Sequence, residues 1–434
     1  MKTMDRRRFL GLAATGVAGA AGMTALSGCG RGPASGEVKL KLVAADYGNP
    51  GGENSSKIYW QKIADAFTKK NPDITVDVTV YSWTDIGKKL TAMVDAGNPP
   101  DIAQVDSYAD WAAEGKLYKV SELLPIPVQA EFLVALAEAG EVRRVQYGLP
   151  FVASTRVLFY NKDLFKKAGL DPDEPPESWR ELKSAAQALK SAGVKIPYGL
   201  PLGPEEAQGE SLMWMLGNAG SYVDSVGNYT INSPENIETF KWLRDNLVAP
   251  GYTEPNPQRV DRQKMFEAFV KGDVGILNGH PTLMQQADKE HIAYGTGKLP
   301  GSSGPAEGTL GVADWMMAFN KNDKNGHREA CGKFLAYVFE EKNHYAFTSQ
   351  YGLLPVTTSA SERMRKDEKQ KKLWPFLDQL AGAEFYPVGK VSWAGTSATI
   401  KKSIGRAAMK GGDPNGVLTM LQRKAETEEE SAPS

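Results

Sequence analysis

Cysteine and histidine are scarce in this chain, which has two cysteines and four histidines among 434 residues. Two cysteines cannot build a disulfide framework. The histidines, at positions 280, 291, 327 and 344, form no His-x-x-x-His pair, and the sequence has no Cys-x-x-Cys pair. Such pairs are typical of structural zinc sites. We therefore expect a fold without a disulfide framework, without a bound metal and without a cofactor.

An excess of charge of one sign is also missing. The sequence has 51 basic and 52 acidic residues, which gives a formal net charge of −1. Nucleic-acid-binding proteins usually carry a basic surface, so this balance gives no reason to expect nucleic acid as a partner. The hydrophobic fraction of 41% is ordinary for a soluble globular protein. The length exceeds what one hydrophobic core usually serves, which predicts two lobes.

Three common enzyme motifs are absent. The sequence has no Gly-x-Ser-x-Gly elbow, no Walker A loop and no Gly-x-Gly-x-x-Gly turn. It therefore gives no signal for a serine hydrolase of that type, a P-loop NTPase or a dinucleotide-binding enzyme. A glycosidase with paired carboxylates has no such signature, because its two acids need only flank a cleft. Glu205 with Asp106 or Asp314 would be the candidates for that chemistry.

The N-terminus has the composition of an export signal. Arg6–Arg8 form a basic cluster, and the uncharged run Phe9–Gly28 that follows is rich in alanine and glycine. This run is long enough to span a bilayer. It has few leucine, isoleucine and phenylalanine residues, which favours a removable signal over a permanent anchor. The order of residues in Asp5–Leu10 resembles a twin-arginine signal, whose cargo is typically exported folded.

The two cysteines have different interpretations. Leu26–Cys29 reads LSGC and resembles a bacterial lipobox, in which diacylglycerol alkylates the cysteine thiol and cleavage makes that cysteine the new N-terminus. Residues 1–28 are therefore predicted to be a signal peptide, and residues 29–36 a lipid anchor and flexible tether. We expect an exported lipoprotein on the outer face of a bacterial cytoplasmic membrane. Cys331 lies in an amphipathic helix pattern and is predicted to be a core residue.

The chain after the tether alternates between two periodicities. Stretches with alternating apolar residues predict strands, and stretches with apolar residues every three or four positions predict helices. The predicted strands cover residues 38–47, 73–81 and 101–105, and the predicted helices cover residues 55–72, 84–97 and 108–117. Strands that alternate with helices pair in parallel through right-handed crossovers.

The residues that follow these strands predict a binding cleft, since ligands of parallel α/β sheets bind outside the carboxyl ends of the strands. Tyr47, Trp83, Asp106 and Ser107 all lie at such ends. Aromatic faces can cover the C–H faces of a sugar, while carboxylates and hydroxyls bond to its hydroxyl groups. For any one of these residues a structural interpretation is equally good: Ser107 as a helix N-cap, and Trp83 as a core side chain.

Five segments resemble family 1 extracellular solute-binding proteins and occur in the order seen in that family. They are PPDIAQVDS, the long block from YGLPFVASTRVLFYNKDLF to PPESWRELKSAAQAL, FEAFVKGDVGILNGHP, YGTGKLPGSSG and SQYGLLPVT. Tyr160–Phe165 is the most specific part, and the resemblance covers nearly the whole chain after the predicted signal. Members of this family, which include the maltose-binding proteins, serve ATP-driven importers, mainly for sugars and oligosaccharides.

The resemblance implies an α/β fold of the two-lobed periplasmic-binding-protein type, with a mainly parallel sheet and flanking helices in each lobe. Three hinge crossings would join the lobes, near Val152–Thr155, Gly311–Asp314 and Thr358–Arg365, and motion about them would close the cleft. The implied N-terminal lobe covers residues 37–152 and 314–360, and the C-terminal lobe covers residues 153–313 and 361–424. The acidic tail, residues 425–434, has the composition of a disordered segment.

Alignment of the motifs also implies which residues face the cleft. Besides the four at the strand ends, these are Ser154, Arg156, Glu205, Glu206, Trp214, Asn218, Asp314, Trp315 and Trp393. Many relatives have a tryptophan directly after the glycine that corresponds to Gly279, where this chain has His280. A stacking platform is then missing or moved to Trp315 or Trp393, and His280 is either a ligand contact or a structural residue.

The resemblance implies a non-enzymatic, monomeric sugar-binding protein that delivers its ligand to the permease subunits of an ABC importer. Two alternatives stay open. The same scaffold could hold a non-sugar solute, such as a polyol or a phosphorylated glycerol compound, for which Arg156 would be the anion contact. Acidic candidates outnumber basic ones in the implied cleft, which argues against an anion. The other alternative is a glycan-active enzyme anchored at the cell surface.

Overall fold

The computed structural model of this protein describes residues 37–48, 52–321 and 326–432. The predicted signal peptide, the lipobox with Cys29 and the tether lie outside these residues. In the described part of the chain, no helix combines the length and the apolar character that a membrane span requires. Residues Glu37–Ser434 belong to one structural unit.

Twelve strands are found in the described residues, and each of the three predicted strands is confirmed to within two residues at its ends. The strands are β1 (Val38–Ala45), β2 (Ile74–Tyr81), β3 (Ile102–Val105), β4 (Glu141–Val142), β5 (Val145–Gln146), β6 (Leu149–Thr155), β7 (Val157–Asn161), β8 (Ile196–Gly199), β9 (Val274–Gly279), β10 (Tyr294–Gly297), β11 (Thr309–Ala318) and β12 (Ala383–Phe385).

The α-helices of the described residues vary from one turn to five. They are α1 (Ser56–Lys70), α2 (Ile86–Asp95), α3 (Ala109–Ala113), α4 (Val120–Leu123), α5 (Ile126–Gln129), α6 (Val134–Ala139), α7 (Lys162–Lys167), α8 (Trp179–Ser191), α9 (Ala207–Leu216), α10 (Pro234–Leu243), α11 (Arg262–Val270), α12 (Pro281–Lys289), α13 (His327–Val338), α14 (Glu341–Tyr351), α15 (Thr358–Lys366), α16 (Trp374–Gln379), α17 (Trp393–Ser403) and α18 (Pro414–Ser431).

Local capping signals fix where several of these helices begin and end. Ser55 caps α1 by accepting a hydrogen bond from the backbone N–H of Lys57. Ser178 and Glu181 form a capping box at the start of α8, each side chain accepting a backbone N–H of the other. Gly97 follows α2 with a φ of 67°, a left-handed conformation that glycine adopts without steric cost.

The first sheet carries strands in the order β12-β11-β3-β1-β2, and β6 also pairs with β11. β1 lies between β2 and β3 and runs parallel to both, as the alternation of strands and helices predicts. β11 runs antiparallel to β3 and to β6. Because Val105 at the end of β3 pairs with Trp315, the carboxyl edge of the parallel strands meets the middle of β11.

The second sheet has the order β10-β7-β9-β8. β8 and β9 are parallel, whereas β7 is antiparallel to β9 and β10 is antiparallel to β7. This sheet is therefore mixed, in contrast to the mainly parallel sheet that was predicted. The chain passes from β6 into β7 without a crossover helix. β7 then pairs antiparallel with β9.

Arg156 is the single residue between β6 of the first sheet and β7 of the second. The predicted crossings Val152–Thr155 and Gly311–Asp314 lie on β6 and β11 and pair with each other as antiparallel strands. The pairing register shifts between Asp314 and Trp315, an irregularity that redirects side chains. The third predicted crossing lies on α15. The lobe boundaries and the hinge motion stay predictions.

The C-terminal segment differs from its predicted disordered state. α18 continues through Ser431, so the acidic residues of the predicted tail form the last turns of a helix. Ala425 is fully buried there, in line with Leu418 and Leu421 on the same face. Glu429 lies 2.8 Å from Lys390. Burial of this apolar face and pairing of the acids stabilise a helix that the charge composition alone does not favour.

The predicted core position of Cys331 is confirmed. Cys331 is buried, and burial raises the pKa of its thiol. Trp60 and Trp179 are buried as well. Trp60 stacks on Phe151 with ring centroids 5.2 Å apart, so this tryptophan packs the first sheet against α1.

Candidate ligand-binding cleft

A cleft of about 940 Å³ opens between the carboxyl edge of the first sheet and the segments that carry the second sheet. Its walls come from the end of β3, the β6–β7 junction, β11, and the starts of α9 and α17. The structure brings eleven of the fourteen predicted residues to this cleft: Trp83, Asp106, Ser107, Ser154, Arg156, Glu205, Glu206, His280, Asp314, Trp315 and Trp393.

Trp214 and Asn218 do not line the cleft, so their predicted placement is wrong. Trp214 is buried in the core of the second sheet, and its indole N–H donates to Glu210 at 3.0 Å. The Asn218 side-chain amide donates to the backbone carbonyl of Glu235 at 3.0 Å. Both residues follow the first turns of α9, and only the N-terminal end of that helix reaches the cleft.

Tyr47 stands behind the cleft wall and is not itself part of the cleft lining. Its hydroxyl donates a hydrogen bond of 2.6 Å to Asp314 Oδ2. Its ring packs edge-on against Trp83, with centroids 5.4 Å apart. Tyr47 therefore contacts two cleft residues, and any effect on a solute passes through them.

Asp314 and Asp106 make the wall that the first sheet contributes to the cleft acidic. Burial raises the pKa of Asp314 to about 7, and the neighbouring Asp106 adds to that rise, while the hydrogen bond from Tyr47 opposes it. Among the described residues, neither carboxylate has a cationic partner within ion-pair distance. Both are therefore available as acceptors for hydroxyl groups.

The cleft tryptophans differ in how much ring surface they present. Trp315 is only 1% exposed, and its ring lies against Tyr108, with centroids 5.4 Å apart. A Cβ atom at Gly148 would come within 3.1 Å of the Trp315 ring, so the backbone also covers it. The predicted move of the stacking platform to Trp315 is therefore not supported. Trp83, 37% exposed, presents the larger free surface.

Trp393 is the other candidate for the missing stacking platform. It begins α17 and stacks on Tyr386 with centroids 5.7 Å apart and an interplanar angle of 25°. Trp393 is only 6% exposed, whereas Tyr386 is half-buried and also lines the cleft. Tyr386, backed by Trp393, therefore presents the larger ring surface on this side. Tyr386 had no signal in the sequence, because it lies in a loop far from any recognisable motif.

A network of charged groups forms the floor of the cleft, on the side of the segments that carry the second sheet. Arg156 Nη2 lies 2.7 Å from Glu206 Oε1, and Arg262 Nε lies 2.7 Å from Glu206 Oε2. Arg262 Nη2 also lies 2.6 Å from Glu205 Oε1. Burial alone would raise the pKa of Glu206, but Arg156 and Arg262 hold it below its ordinary value. Both guanidinium groups are thus neutralised within the protein.

His280 has protein partners at both ring nitrogens. Its Nδ1 caps α12 by accepting from the backbone N–H of Thr282, and its Nε2 contacts Arg262. The ring also packs against Phe266 with centroids 5.1 Å apart. Burial and the two nearby arginines, Arg156 and Arg262, hold the pKa of His280 well below its ordinary value. This arrangement favours the structural interpretation of His280 over a ligand contact.

The whole cleft lining has more acidic than basic side chains. Seven carboxylate residues and five basic residues line it among the described residues: Asp95, Asp106, Asp110, Glu114, Glu205, Glu206 and Asp314 against Lys116, Arg156, Arg262, Lys390 and Lys401. Lys116 pairs with Glu114 and Lys390 with Glu429. Lys401 has no ion pair within the described residues. Arg262 was missed from the sequence because nothing near it suggests a site.

Comparisons with known proteins agree with this architecture. The sequence profile of the bacterial extracellular solute-binding protein family matches residues 53–345. A binding protein of Brucella abortus (strain 2308) is 28% identical over 396 residues, which cover 89% of this chain and 92% of that protein. The sn-glycerol-3-phosphate-binding periplasmic protein UgpB of Salmonella typhimurium is 27% identical over 332 residues, 70% of this chain and 72% of UgpB.

Solved structures show the same fold. The cyclic alpha-maltosyl-1,6-maltose binding protein from Arthrobacter globiformis matches with a TM-score of 0.77 and 21% identity, covering 91% of this chain and 99% of that one. The GacH receptor of Streptomyces glaucescens, known unliganded and with acarbose, matches with a TM-score of 0.71 and 20% identity, also covering 91% and 99%. The predicted α/β binding-protein fold is thereby confirmed.

The family match covers most of the described chain, from the start of α1 to α14. It includes the end of β3, the β6–β7 junction and β11, which carry the first side of the cleft and its floor. The resemblance that the sequence motifs indicated is therefore confirmed, and this chain belongs to the family of bacterial extracellular solute-binding proteins.

Proposed function

We propose that this solute-binding protein captures a neutral sugar or oligosaccharide in the cleft and delivers it to the permease subunits of an ABC importer. The observation that carries the proposal is the combination, in one cleft, of aromatic rings with carboxylates that have no cationic partner. Trp83 and Tyr386 supply the rings, and Asp106 and Asp314 supply the acceptors. A sugar offers the matching surfaces, apolar C–H faces and hydroxyl donors.

The size of the cleft favours an oligosaccharide over a single sugar unit. Its volume of about 940 Å³ lies near the upper end of the range of roughly 300–1,000 Å³ that is usual for ligand pockets. The Arthrobacter protein of the same fold binds cyclic alpha-maltosyl-1,6-maltose, and the Streptomyces receptor is known in complex with acarbose. These likenesses support the proposal without fixing the sugar or its linkage.

Delivery would follow from closure of the cleft. Capture of the solute between the two walls would favour the closed form, since contacts to both walls are made only there. The closed monomer would then dock on the permease. Family membership supports this step, because solute-binding proteins of this family serve importers.

The N-terminal segment suits a protein that works outside the cytoplasm. We propose that residues 1–28 direct export by the twin-arginine route and that lipidated Cys29 anchors the mature chain on the outer face of the membrane. The anchor would keep the protein close to its permease, which raises its effective concentration there. Membership of an extracellular family supports the location.

A phosphorylated glycerol compound is the second candidate solute. Its support is the similarity to UgpB proteins and the unpaired cation Lys401 in the cleft lining. Against it stand the two arginines, which are already paired with Glu205 and Glu206. A phosphate would have to displace these carboxylates, and the excess of acidic side chains in the cleft would oppose its approach.

A thermal-shift and calorimetry screen of the purified full chain tests the proposal. The probes are maltose, maltotriose, glycerol and glycerol 3-phosphate, each at a high excess. A solute at a hundred times its Kd stabilises the folded state by about 2.7 kcal/mol, which raises the Tm of a chain of this length by roughly two degrees or more. We expect a shift with a neutral glycan and none with glycerol 3-phosphate.

The opposite pattern, a shift with glycerol 3-phosphate alone, would replace the sugar with the phosphorylated solute. The third possibility, a glycan-active enzyme, is checked in the same samples by chromatography of the maltotriose after incubation. Release of shorter sugars that is lost in an Asp314→Asn, Glu205→Gln double variant would contradict a purely binding function.

A further inference from the structure

We infer that Tyr47 and Gln104 are positioning residues that hold Asp314 as a hydrogen-bond acceptor toward the solute, so that the cleft selects a solute group that carries a hydrogen. The identity of that group as a sugar hydroxyl rests on the proposed function. The arrangement around Asp314 is independent of it and follows from three consecutive hydrogen bonds of fixed direction.

The direction of the chain of hydrogen bonds is set by a backbone group. The N–H of Ala45 donates to Gln104 Oε1 at 3.0 Å. Because a backbone N–H can only donate, the oxygen of the Gln104 amide has to face Ala45. Gln104 is fully buried in β3, so its amide has no freedom to turn, and its nitrogen points to the other side.

That nitrogen determines what the Tyr47 hydroxyl can do. Gln104 Nε2 donates to the Tyr47 hydroxyl oxygen at 3.0 Å. The single hydroxyl hydrogen of Tyr47 is then directed to Asp314 Oδ2, 2.6 Å away. Asp314 therefore receives a donor on Oδ2, which favours its ionised form. Its other oxygen, Oδ1, has no hydrogen bond from the described residues, and Asp314 lines the cleft.

The position of Tyr47 is itself fixed by its surroundings. The preceding residue, Asp46, accepts hydrogen bonds from the backbone N–H of Ser56 at 2.8 Å and from the Ser55 hydroxyl at 2.6 Å. These bonds hold the end of β1 against the start of α1. The Tyr47 ring packs edge-on between Trp83 and Phe347, with centroids 5.4 and 5.2 Å away. The hydroxyl is thus placed by both backbone and ring contacts.

Few charged or titratable groups face Asp314. Tyr47 approaches from the end of β1, and Asp106 from the end of β3. Burial raises the pKa of Asp314 to about 7, Asp106 contributes in the same direction, and Tyr47 opposes both. The hydrogen bond from Tyr47 therefore favours the ionised form, which accepts from a solute, against burial and Asp106, which favour the protonated form. Loss of the Tyr47 hydrogen bond would favour the protonated form.

The first test measures the titration of Asp314 in the full chain without any solute. The carboxyl carbon of Asp314 is followed by NMR with labelled aspartate, and its resonance is assigned by its absence from an Asp314→Asn variant. In Tyr47→Phe we expect the midpoint to rise by about one pH unit, because one hydrogen bond to a charged group is lost. Tyr59→Phe is the matched control, since it removes another buried tyrosine hydroxyl, which donates to Asn343 O at 2.8 Å.

Two variants of Gln104 separate positioning from simple stability. Gln104→Glu still accepts from Ala45, but it competes for the Tyr47 hydrogen and should raise the Asp314 midpoint. Gln104→Met removes the donor that orients the Tyr47 hydroxyl, so the Asp314 midpoint should rise, by less than in Tyr47→Phe. Unchanged midpoints in both Tyr47→Phe and Gln104→Glu would overturn the inference. Because no solute is present, this failure is distinct from a failure of the sugar screen.

The thermal-shift screen at pH 7 tests whether Asp314 selects a solute group that carries a hydrogen. In Tyr47→Phe we expect the shift with maltotriose to shrink relative to the unmodified protein and to Tyr59→Phe, with no loss of any shift caused by glycerol 3-phosphate. An equal maltotriose shift in Tyr47→Phe would contradict the selecting role of Asp314. If neither maltose nor maltotriose gives a shift in the unmodified protein, the sugar proposal loses its support in this screen, and the NMR midpoints alone decide the positioning role.

Discussion

Arg156 Nη2 lies 2.7 Å from Glu206 Oε1, and this ion pair joins the junction of the two sheets to the start of α9. Arg262 takes the other carboxylate oxygen at 2.7 Å. Only 5% of the Arg156 side chain and 18% of the Glu206 side chain are exposed. The pair is thus nearly desolvated, at the place where the chain passes from one side of the cleft to the other.

Removal of one partner from this pair should cost far more stability than removal of a surface pair. In Arg156→Met, Glu206 keeps Arg262 but loses a buried partner, and we expect the free energy of unfolding to fall by about 3 kcal/mol. Urea unfolding at neutral pH measures it. Arg363→Met is the control, because Arg363 pairs with Glu341 at 2.9 Å on the surface, and it should cost less than about 1 kcal/mol. Equal losses in the two variants would contradict this account.

The buried acid Glu210 should make stability fall as pH rises. Burial raises its pKa to about 8, so the folded protein retains a proton that the unfolded chain releases above its ordinary pKa. Stability from this group is therefore present at low pH and is lost between about pH 5 and 8. In Glu210→Gln we expect a flatter dependence of the unfolding free energy on pH across that window, measured by urea unfolding at several pH values.

The control for Glu210 is an exposed acid. Glu238 lies on the exposed face of α10. Glu238→Gln should therefore leave the pH dependence of the unfolding free energy as it is in the unmodified protein. Glu254 also has a pKa that burial raises, to about 7, so part of the slope should persist in Glu210→Gln. A slope identical to that of the unmodified protein would show that Glu210 does not hold a proton.

Trp83 should contribute to affinity without contributing much to stability. Trp83 is 37% exposed and lines the cleft, so Trp83→Ala removes an aromatic face that a sugar would cover. We expect about fivefold weaker binding of the glycan found in the screen, measured by calorimetry, since a ring contact is worth about 1 kcal/mol. Trp374→Ala, which removes a half-buried tryptophan outside the cleft lining, should leave the Kd unchanged. Undiminished affinity in Trp83→Ala would remove Trp83 from the site.

Attachment of the mature protein to the membrane should depend on Cys29. In Cys29→Ala the thiol that would carry the lipid is absent, so we expect the protein to be released from membranes of the expressing bacterium. Fractionation followed by immunoblotting measures the distribution, and Cys331→Ala is the matched control. Retention of Cys29→Ala in the membrane fraction would indicate that the N-terminal segment stays attached as a membrane-spanning helix.

Much of the first sheet could be predicted because its signals are local. The alternating apolar residues of Ile74–Tyr81 act within one strand, and the structure confirms the predicted strand there. The prediction of a disordered tail was wrong because it, too, used only a local signal. Its acidic composition is a local property, whereas the burial of Ala425 depends on packing with distant helices.

The sequence by itself determined the family and the alternation of strands and helices, and it named eleven of the residues that line the cleft, because motifs and periodicity are written in neighbouring positions. Only the tertiary structure decided which of them have protein partners. Tyr47 and Asp314 are 267 positions apart, and Arg262 and Glu205 are 57 positions apart. Their contacts follow from strand order and register, which bring together groups that no short stretch of sequence relates. Tyr47 therefore stands behind Asp314, and the arginines are already neutralised.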